Sequence, residues 1–412
     1  MEYRIEMLWS GLILVAVLVI FTMGKSPIFR VDRAGASIIG AVATVATGVL
    51  SFKEATVAVD FKTIIILFSM MIVVANLKLA GFFELVGDAV CQRVKTKKEL
   101  LFAIIIVSGS MSAFAINDII CLLFTPVVLL ICRKAQCNPI PHLLGVAMAS
   151  NIGSAATLLG NPQNILVASL SGMTFSSYFL VACPVVVIGL IAAYGAIAYC
   201  YQKELEGIFV ATITSHSNIH GYLIVKSLVV LALILAGYMS GYDLALVSCL
   251  GGATLLITRR IKPNKIYSSI DFNLLVIFIG LFIIVAGVEH SGLMGLALDK
   301  LSFAGFKSMG IFATMTLILS NIVSNVPAVL LMQYLIPADN AEYWWKALAL
   351  FSTLAGNFTI TGSIANLIVV EIAKRDNVSV TARDYLKVGF PLTIVTITIG
   401  IMWLYIVSYA AY

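Results

Sequence analysis

The sequence predicts an all-α polytopic membrane protein: an inverted-topology repeat with about ten spanning helices, two re-entrant hairpins and two broken helices. Three observations predict it. The 412 residues are 61% hydrophobic and only 11% charged, with a mean hydropathy of +1.05, whereas a soluble domain carries about 25% charged residues. Apolar segments of membrane length recur in the same order in two halves. One segment in each half, at matching places, is interrupted by glycine, amides and hydroxyls that a lipid-facing helix would not carry.

The first repeat covers residues 1–204. Its opening span, 8–23, differs from a signal peptide: no small-residue cleavage site follows, and Glu2 and Glu6 precede it. Segments 34–50 and 62–79 suit single crossings, which need about 20 residues. Segment 100–132 is too long for one crossing and carries Asn117-Asp118 near its middle; it reads as a re-entrant hairpin, with two tightly joined spans as the competing arrangement. Segment 142–170 holds Gly153, Gly160 and Pro162, which break helix through conformational freedom or a missing N–H. Bare backbone at bilayer depth costs several kcal/mol per unsatisfied group, so this segment must be buried in protein or line a wet cavity. Span 175–200 closes the repeat, and 205–220 forms a cytoplasmic linker.

The second repeat, 221–412, follows the same plan: spans 221–239, 244–258 and 273–290, hairpin 308–337, broken helix 347–371 and span 390–410. Asp60-Phe61 and Asp271-Phe272 open apolar runs that align without gaps. Asn117 matches Asn325, and Asn151 is paired with Asn357 after small changes in loop length. Gly160–Asn164 is echoed by Gly362–Asn366.

Charge sets the orientation. Cytoplasmic loops collect Lys and Arg, and the groups around Arg30 and Arg33, Arg93 to Lys98, Arg133 and Lys134, Lys203, Arg259 to Lys265, and Lys374 to Lys387 fall on one side. The other side keeps Arg4, Lys53, Lys62, Lys300, Lys307 and Lys346. Five spans and one hairpin per half satisfy this, and an odd number inverts the second half. The net charge of +6 therefore needs no nucleic acid to explain it. The partners expected are the lipid bilayer and a small solute or ion, in a multi-pass inner (plasma) membrane protein.

The hairpin tips and broken helices should meet at mid-bilayer. The candidate binding residues are Asn117, Asp118, Asn151, Gly153, Ser154, Thr157, Gly160, Asn161 and Asn164, with Ser324, Asn325, Asn357, Thr359, Thr361, Gly362, Ser363 and Asn366 from the second half. They offer amides, hydroxyls, freed backbone groups and one carboxylate, with no Lys or Arg. Oxygen donors of this kind suit a small hard cation or a polyhydroxy solute, and make Na⁺ a candidate near Asn117, Asp118 and Asn151. Lack of Arg argues against tight capture of a highly charged carboxylate or phosphate. Asp118 is the candidate coupling carboxylate, because charged groups at bilayer depth usually mark ion or proton routes; a helix-capping role competes with this. No cofactor is expected beyond H⁺ or Na⁺ as coupling ion. His142, His216 and His220 show no metal-ligand spacing, and the seven cysteines no disulfide framework. No nucleotide or hydrolase motif appears, so an enzyme is not expected.

Four segments carry a resemblance: Ser112–Pro126 (SAFAINDIICLLFTP), Ser150–Ile165 (SNIGSAATLLGNPQNI), Leu319–Leu331 (LSNIVSNVPAVLL) and Ala355–Glu371 (AGNFTITGSIANLIVVE). Through them the chain resembles the ion transporter superfamily. It looks most like the branch of ArsB-type arsenite/antimonite permeases, NhaD-type sodium/proton antiporters and the P protein. The related dicarboxylate/sodium symporters carry Ser-Asn-Thr at each hairpin tip. Here the tips read Ile116-Asn117-Asp118 and Ser324-Asn325-Val326, a departure from a dicarboxylate site. The resemblance implies a scaffold domain and a transport domain moving as an elevator, homodimers in some branches, and a partner ATPase for some arsenite permeases. The expected function is proton- or sodium-coupled transport of a small inorganic oxyanion or its neutral acid, arsenite-like. A sodium/proton antiporter is the alternative; a carboxylate symporter or passive channel ranks behind both.

Overall fold

The structure is a computed structural model and describes residues 2–26, 28–210, 219–296 and 308–410. Lys300, Lys307, His216 and residues 211–218 of the 205–220 linker lie outside these residues. All regular secondary structure among the described residues is helical, apart from isolated bridges such as Thr96 with Ile208.

Among the described residues, six helices are long and apolar enough to cross a membrane: Ile5–Met23, Phe61–Leu79, Phe175–Cys200, Gly221–Met239, Phe272–His290 and Ala382–Tyr409. Two predicted spans are shorter than expected. Arg33–Ala46 and Leu244–Leu256 have 14 and 13 residues, roughly 20 Å at 1.5 Å per residue. The first stops because Gly48 turns with φ +78°; the chain resumes as Phe52–Ala58, where Ser51 and Glu54 form a capping box. Helix Phe82–Arg93 was not expected from hydropathy. It is amphipathic, burying Phe83, Gly87, Val90 and Cys91 on one face.

The aspartates that mark the sequence repeat are N-caps. Asp32 and Asp243 accept from the N–H groups of Gly35 and Leu246; Asp60 and Asp271 accept from those of Lys62 and Leu274. Packing between the halves is reciprocal. Helix Arg33–Ala46 lies on Phe272–His290, and Leu244–Leu256 lies on Phe61–Leu79. Small residues allow the approach: a Cβ on Gly280 would come within 2.6 Å of the Ser37 carbonyl.

Each long polar-centred segment folds as two packed helices. Lys97–Phe114 and Asn117–Lys134 turn at Ala115 and Ile116; Met309–Val323 and Asn325–Met332 turn at Ser324. Ser324 takes φ +76°, ψ 159°, a conformation rarely adopted by a residue with a side chain. The broken helices are Ile140–Ser154 with Pro162–Ser171, and Ala341–Leu354 with Ile364–Arg375. In the second, short 3₁₀ turns at Ala355–Asn357 and Ile360–Gly362 carry the chain across the break.

Candidate functional site

The first break is organised by its own side chains. Asn161 is extended and caps Pro162–Ser171, its Oδ1 accepting from the Asn164 N–H at 2.8 Å. Asn164 turns back to close the break, donating through Nδ2 to the Thr157 carbonyl at 3.0 Å and the Ser154 carbonyl at 3.5 Å. Thr157 donates to the Ala113 carbonyl on the first hairpin. Gly153 and Gly160 are required by closeness: a Cβ would fall 2.0 Å from the Gly109 carbonyl oxygen or 2.2 Å from that of Ser154.

The second break repeats the geometry with different residues. Asn366 donates to the Gly356 carbonyl at 2.7 Å and the Thr359 carbonyl at 3.2 Å. Thr359 and Thr361 lie at the outer edge, where Thr359 donates to Asn321 Oδ1 at 2.9 Å. Ser363 makes no cap for its own helix; its Oγ donates to Asn151 Oδ1 at 3.0 Å.

Asn151 is the hub between the halves. Its Nδ2 donates to Asn357 Oδ1 and Asn366 Oδ1, each at 2.9 Å, and its Oδ1 accepts from Asn117 Nδ2 at 3.0 Å. Thr353 mirrors it: Oγ1 donates to Asn164 Oδ1 at 3.1 Å and accepts from Asn161 Nδ2 at 3.0 Å. Asn151 thus reaches Asn366 and Ser363, and Thr353 reaches their counterparts Asn164 and Asn161. This corrects the register read from sequence, since the structural counterpart of Asn151 is Thr353, not Asn357. The aligned pair Gly160–Asn164 and Gly362–Asn366, continued backwards without a gap, already pointed there. Asn357 instead donates to the Met148 carbonyl at 3.1 Å.

The hairpin tips close on these breaks. The Asn117 N–H donates to the Gly160 carbonyl at 2.9 Å. The Asn325 amide, in the orientation that satisfies both of its atoms, donates to the Ser352 and Gly362 carbonyls and accepts from Gln163 Nε2, all at 3.2 Å. Between the tips lies a cavity of about 20 Å³ lined by Asn117, Asp118, Pro162, Gln163, Leu274, Ser324, Asn325, Val326, Ser363 and Ile364. That is room for a water or a bare ion.

The predicted residues therefore divide. Asn117, Asp118, Ser324, Asn325 and Ser363 line the cavity, and Asn151 stands one hydrogen bond behind it. Gly153, Ser154, Thr157, Gly160, Asn161, Asn164, Asn357, Gly362 and Asn366 build the walls, with their polar atoms engaged by neighbours. Gln163 also lines the cavity, while Thr353 and Asn321 belong to the framework; none of the three was among the candidates. Among the described residues no Lys or Arg lines the cavity. Asp118 is half-buried, faces the backbone N–H of Ala365, and has Arg33 and Asp271 in Coulombic range. Asn117 Oδ1 is buried without a hydrogen-bond partner among the described residues, an acceptor left for something in the cavity.

Long apolar helices around paired helix breaks and a small polar cavity are the build of a multi-pass membrane transporter. A family model described as Citrate transporter (CitMHS) matches residues 16–350, and the chain belongs to that family. An uncharacterized transporter of Mycobacterium tuberculosis, Rv2684, is 30% identical over 92% of this chain and 94% of its own length. The silicon efflux transporter LSI3 of rice is 27% identical over 91% of this chain and 93% of its own. Among solved structures, the YdaH transporter of Alcanivorax borkumensis, described as having an unusual topology, superposes with TM-score 0.58 at 13% identity over 99% of both chains.

Proposed function

We propose that this chain moves a small inorganic oxyanion or its neutral acid, coupled to H⁺ or Na⁺, by alternating access of elevator type. The observation that carries this is the cavity between the hairpin tips, which is bordered by amides, hydroxyls and one carboxylate but by no cation. A multiply charged carboxylate such as citrate would meet Asp118 with no cation in the lining to hold it, since Arg33 lies in Coulombic range of Asp118 but does not border the cavity. A neutral polyhydroxy acid can both donate to and accept from such a lining. A relative named for silicon efflux, aligned over 91% of this chain and 93% of its own length, supports this choice over the family's name.

In this reading the two halves are inverted in the membrane, and both polar-centred segments are re-entrant. The reciprocal bonds of Asn151 and Thr353 support a two-fold relation, since each half gives the other the contact it receives. Leu274 borders the cavity, three residues past Asp271 at the end of its helix that the positive-inside pattern makes cytoplasmic. The site so placed faces the cytoplasm in this conformation. One observation favours an antiporter as second reading: about 20 Å³ suits an ion better than a solute, and the free Asn117 Oδ1 beside Asp118 is a cation's donor set.

Thermal shifts of purified protein with arsenite, silicic acid, borate, citrate, Na⁺ and Li⁺ test both readings. A true ligand adds stability as RT ln(1 + [L]/Kd). Stabilisation by arsenite or silicic acid supports the first reading, by Na⁺ or Li⁺ alone the second, and by citrate alone overturns both.

A further inference from the structure

Away from the cavity, the foot of the first hairpin gathers soft ligands. Cys132 ends the apolar face of Asn117–Lys134, Cys137 sits in the loop that follows, and His142 opens Ile140–Ser154. Their ligand atoms all lie within 4.8 Å of one another. We propose that Cys132, Cys137 and His142 form a binding site for a thiophilic transition-metal ion of the Zn²⁺ type.

Three features support the site. First, the chemistry fits: two thiolates neutralise a divalent ion, and sulfur with imidazole is a zinc donor set that leaves a fourth position for water. Second, the imidazole is already held. One ring nitrogen faces the Asn138 carbonyl at 3.2 Å and the other the Lys97 carbonyl at 3.4 Å. A neutral ring can donate to only one of them, so the other nitrogen keeps a lone pair; a backbone carbonyl orienting the far N–H is how ligating histidines are commonly fixed. Third, closure is short. With Zn–S near 2.3 Å and Zn–N near 2.0 Å, tetrahedral ligand atoms stand about 3.5 to 3.8 Å apart. The cluster must contract by about 1 Å, within reach of a rotation at Cys137. Neighbouring Gln136 is exposed, at φ +48°, so the loop is open to the aqueous side.

Binding exchanges protons for metal without redox change: two thiols and Zn²⁺ give the dithiolate–imidazole complex and two H⁺. His142 lies nine residues from Asn151 on one helix, about 14 Å away, so this ion would not be the cargo. It would clamp the hairpin's foot to the first broken helix.

The test uses full-length protein in detergent, stripped with EDTA under reducing conditions and titrated with Co²⁺ and then Zn²⁺. The expected result is one Co²⁺ per chain, bound with release of two protons and intense tetrahedral visible bands, and then displaced by Zn²⁺ with loss of the bands and no further proton release. Cys137→Ser should remove the bands, Cys137→His should restore an altered set, and Cys249→Ser, an exposed cysteine elsewhere, should leave them unchanged. Absence of bands in the wild-type protein, or bands unchanged in Cys137→Ser, overturns the proposal.

Discussion

The two broken helices answer one sequence pattern with different degrees of closure. In the first, Asn161 caps its own helix, every candidate side chain is buried, and Gly160 is walled by backbone. In the second, Ser363 leaves its helix uncapped to reach Asn151, Thr361 is exposed, and Gly362 is walled first by the side chain of Asn321. The tips differ too: Asp118 stands where the other repeat has Val326. The same arrangement of donors and acceptors is thus rigid and charged on one side, looser and neutral on the other. If one half moves a charge and the other completes the wall, the effects of substitution should be unequal.

The largest expected effect is at Asp118. Asp118→Asn keeps the side chain's shape and removes the only carboxylate of the cavity lining. Uphill, ion-driven flux in proteoliposomes should fall by at least tenfold, about 1.4 kcal/mol of lost coupling, with little change in thermal stability. Flux that still answers a pH or Na⁺ gradient as before would remove Asp118 from the coupling role and the asymmetry with it.

Next come the hubs. Asn151→Ala leaves Asn117, Asn357, Ser363 and Asn366 each short of a buried partner, and should cost about 3 kcal/mol or more. Thr353→Ala frees Asn161 and Asn164, and Gln163 of a longer bond at 3.4 Å, and should cost about 1 to 2 kcal/mol. A double-mutant cycle between Asn151 and Asn366 should show strong non-additivity, because they share one hydrogen bond. Equal costs for the two single variants, read by thermal melts, would mean the halves are equally braced.

These residues also show what could be read from the chain alone. Asn161, Asn164 and Asn366 stood out because amides beside glycine in an apolar segment have no lipid-facing explanation. Thr353 did not, since a lone threonine in an apolar helix usually satisfies its hydroxyl on the preceding turn, as it also does here through the Ala349 carbonyl. Helix Phe82–Arg93 was missed because its polar face lowers its hydropathy, while periodicity would have found it. Cys132, Cys137 and His142 are five residues apart in turn, and it is the turn after Lys134 that brings their side chains together. What the pattern of residues conveyed was where lipid could not be; which atoms met there depended on a fold that brings residues 151 and 366 together.

The glycine walls sharpen the comparison further. Gly160→Ala drives a methyl into the Ser154 carbonyl, where only backbone movement relieves it, and should destabilise by about 2 to 3 kcal/mol. Gly362→Ala meets Asn321 Oδ1 at 2.5 Å and then the Gly356 carbonyl at 3.2 Å; the amide can swing aside, so the cost should be about half as large. Melting curves of the two variants decide it, and an equal or larger loss at Gly362 would show that Asn321 is as fixed as backbone.

The smallest effect expected lies outside the membrane, at a turn the halves do not share. After Leu50 the Ser51 hydroxyl and backbone N–H both donate to Glu54, holding its carboxyl below the usual range. The corresponding turn of the second half, at Lys262, has no side-chain cap. A carboxylate with a depressed folded-state pKa stabilises above its unfolded value, and the gain is lost as pH falls through the lower, folded value. Glu54 is fully exposed, so solvent screens the gain. Glu54→Gln should therefore lower the melting temperature at neutral pH by no more than about 1 °C. At a pH below the folded-state value the two proteins should converge, because the wild-type side chain is then neutral as well. A difference that persists or grows on acidification would show that the cap acts through shape rather than charge, and that the turn after Leu50 is held by packing its counterpart also possesses.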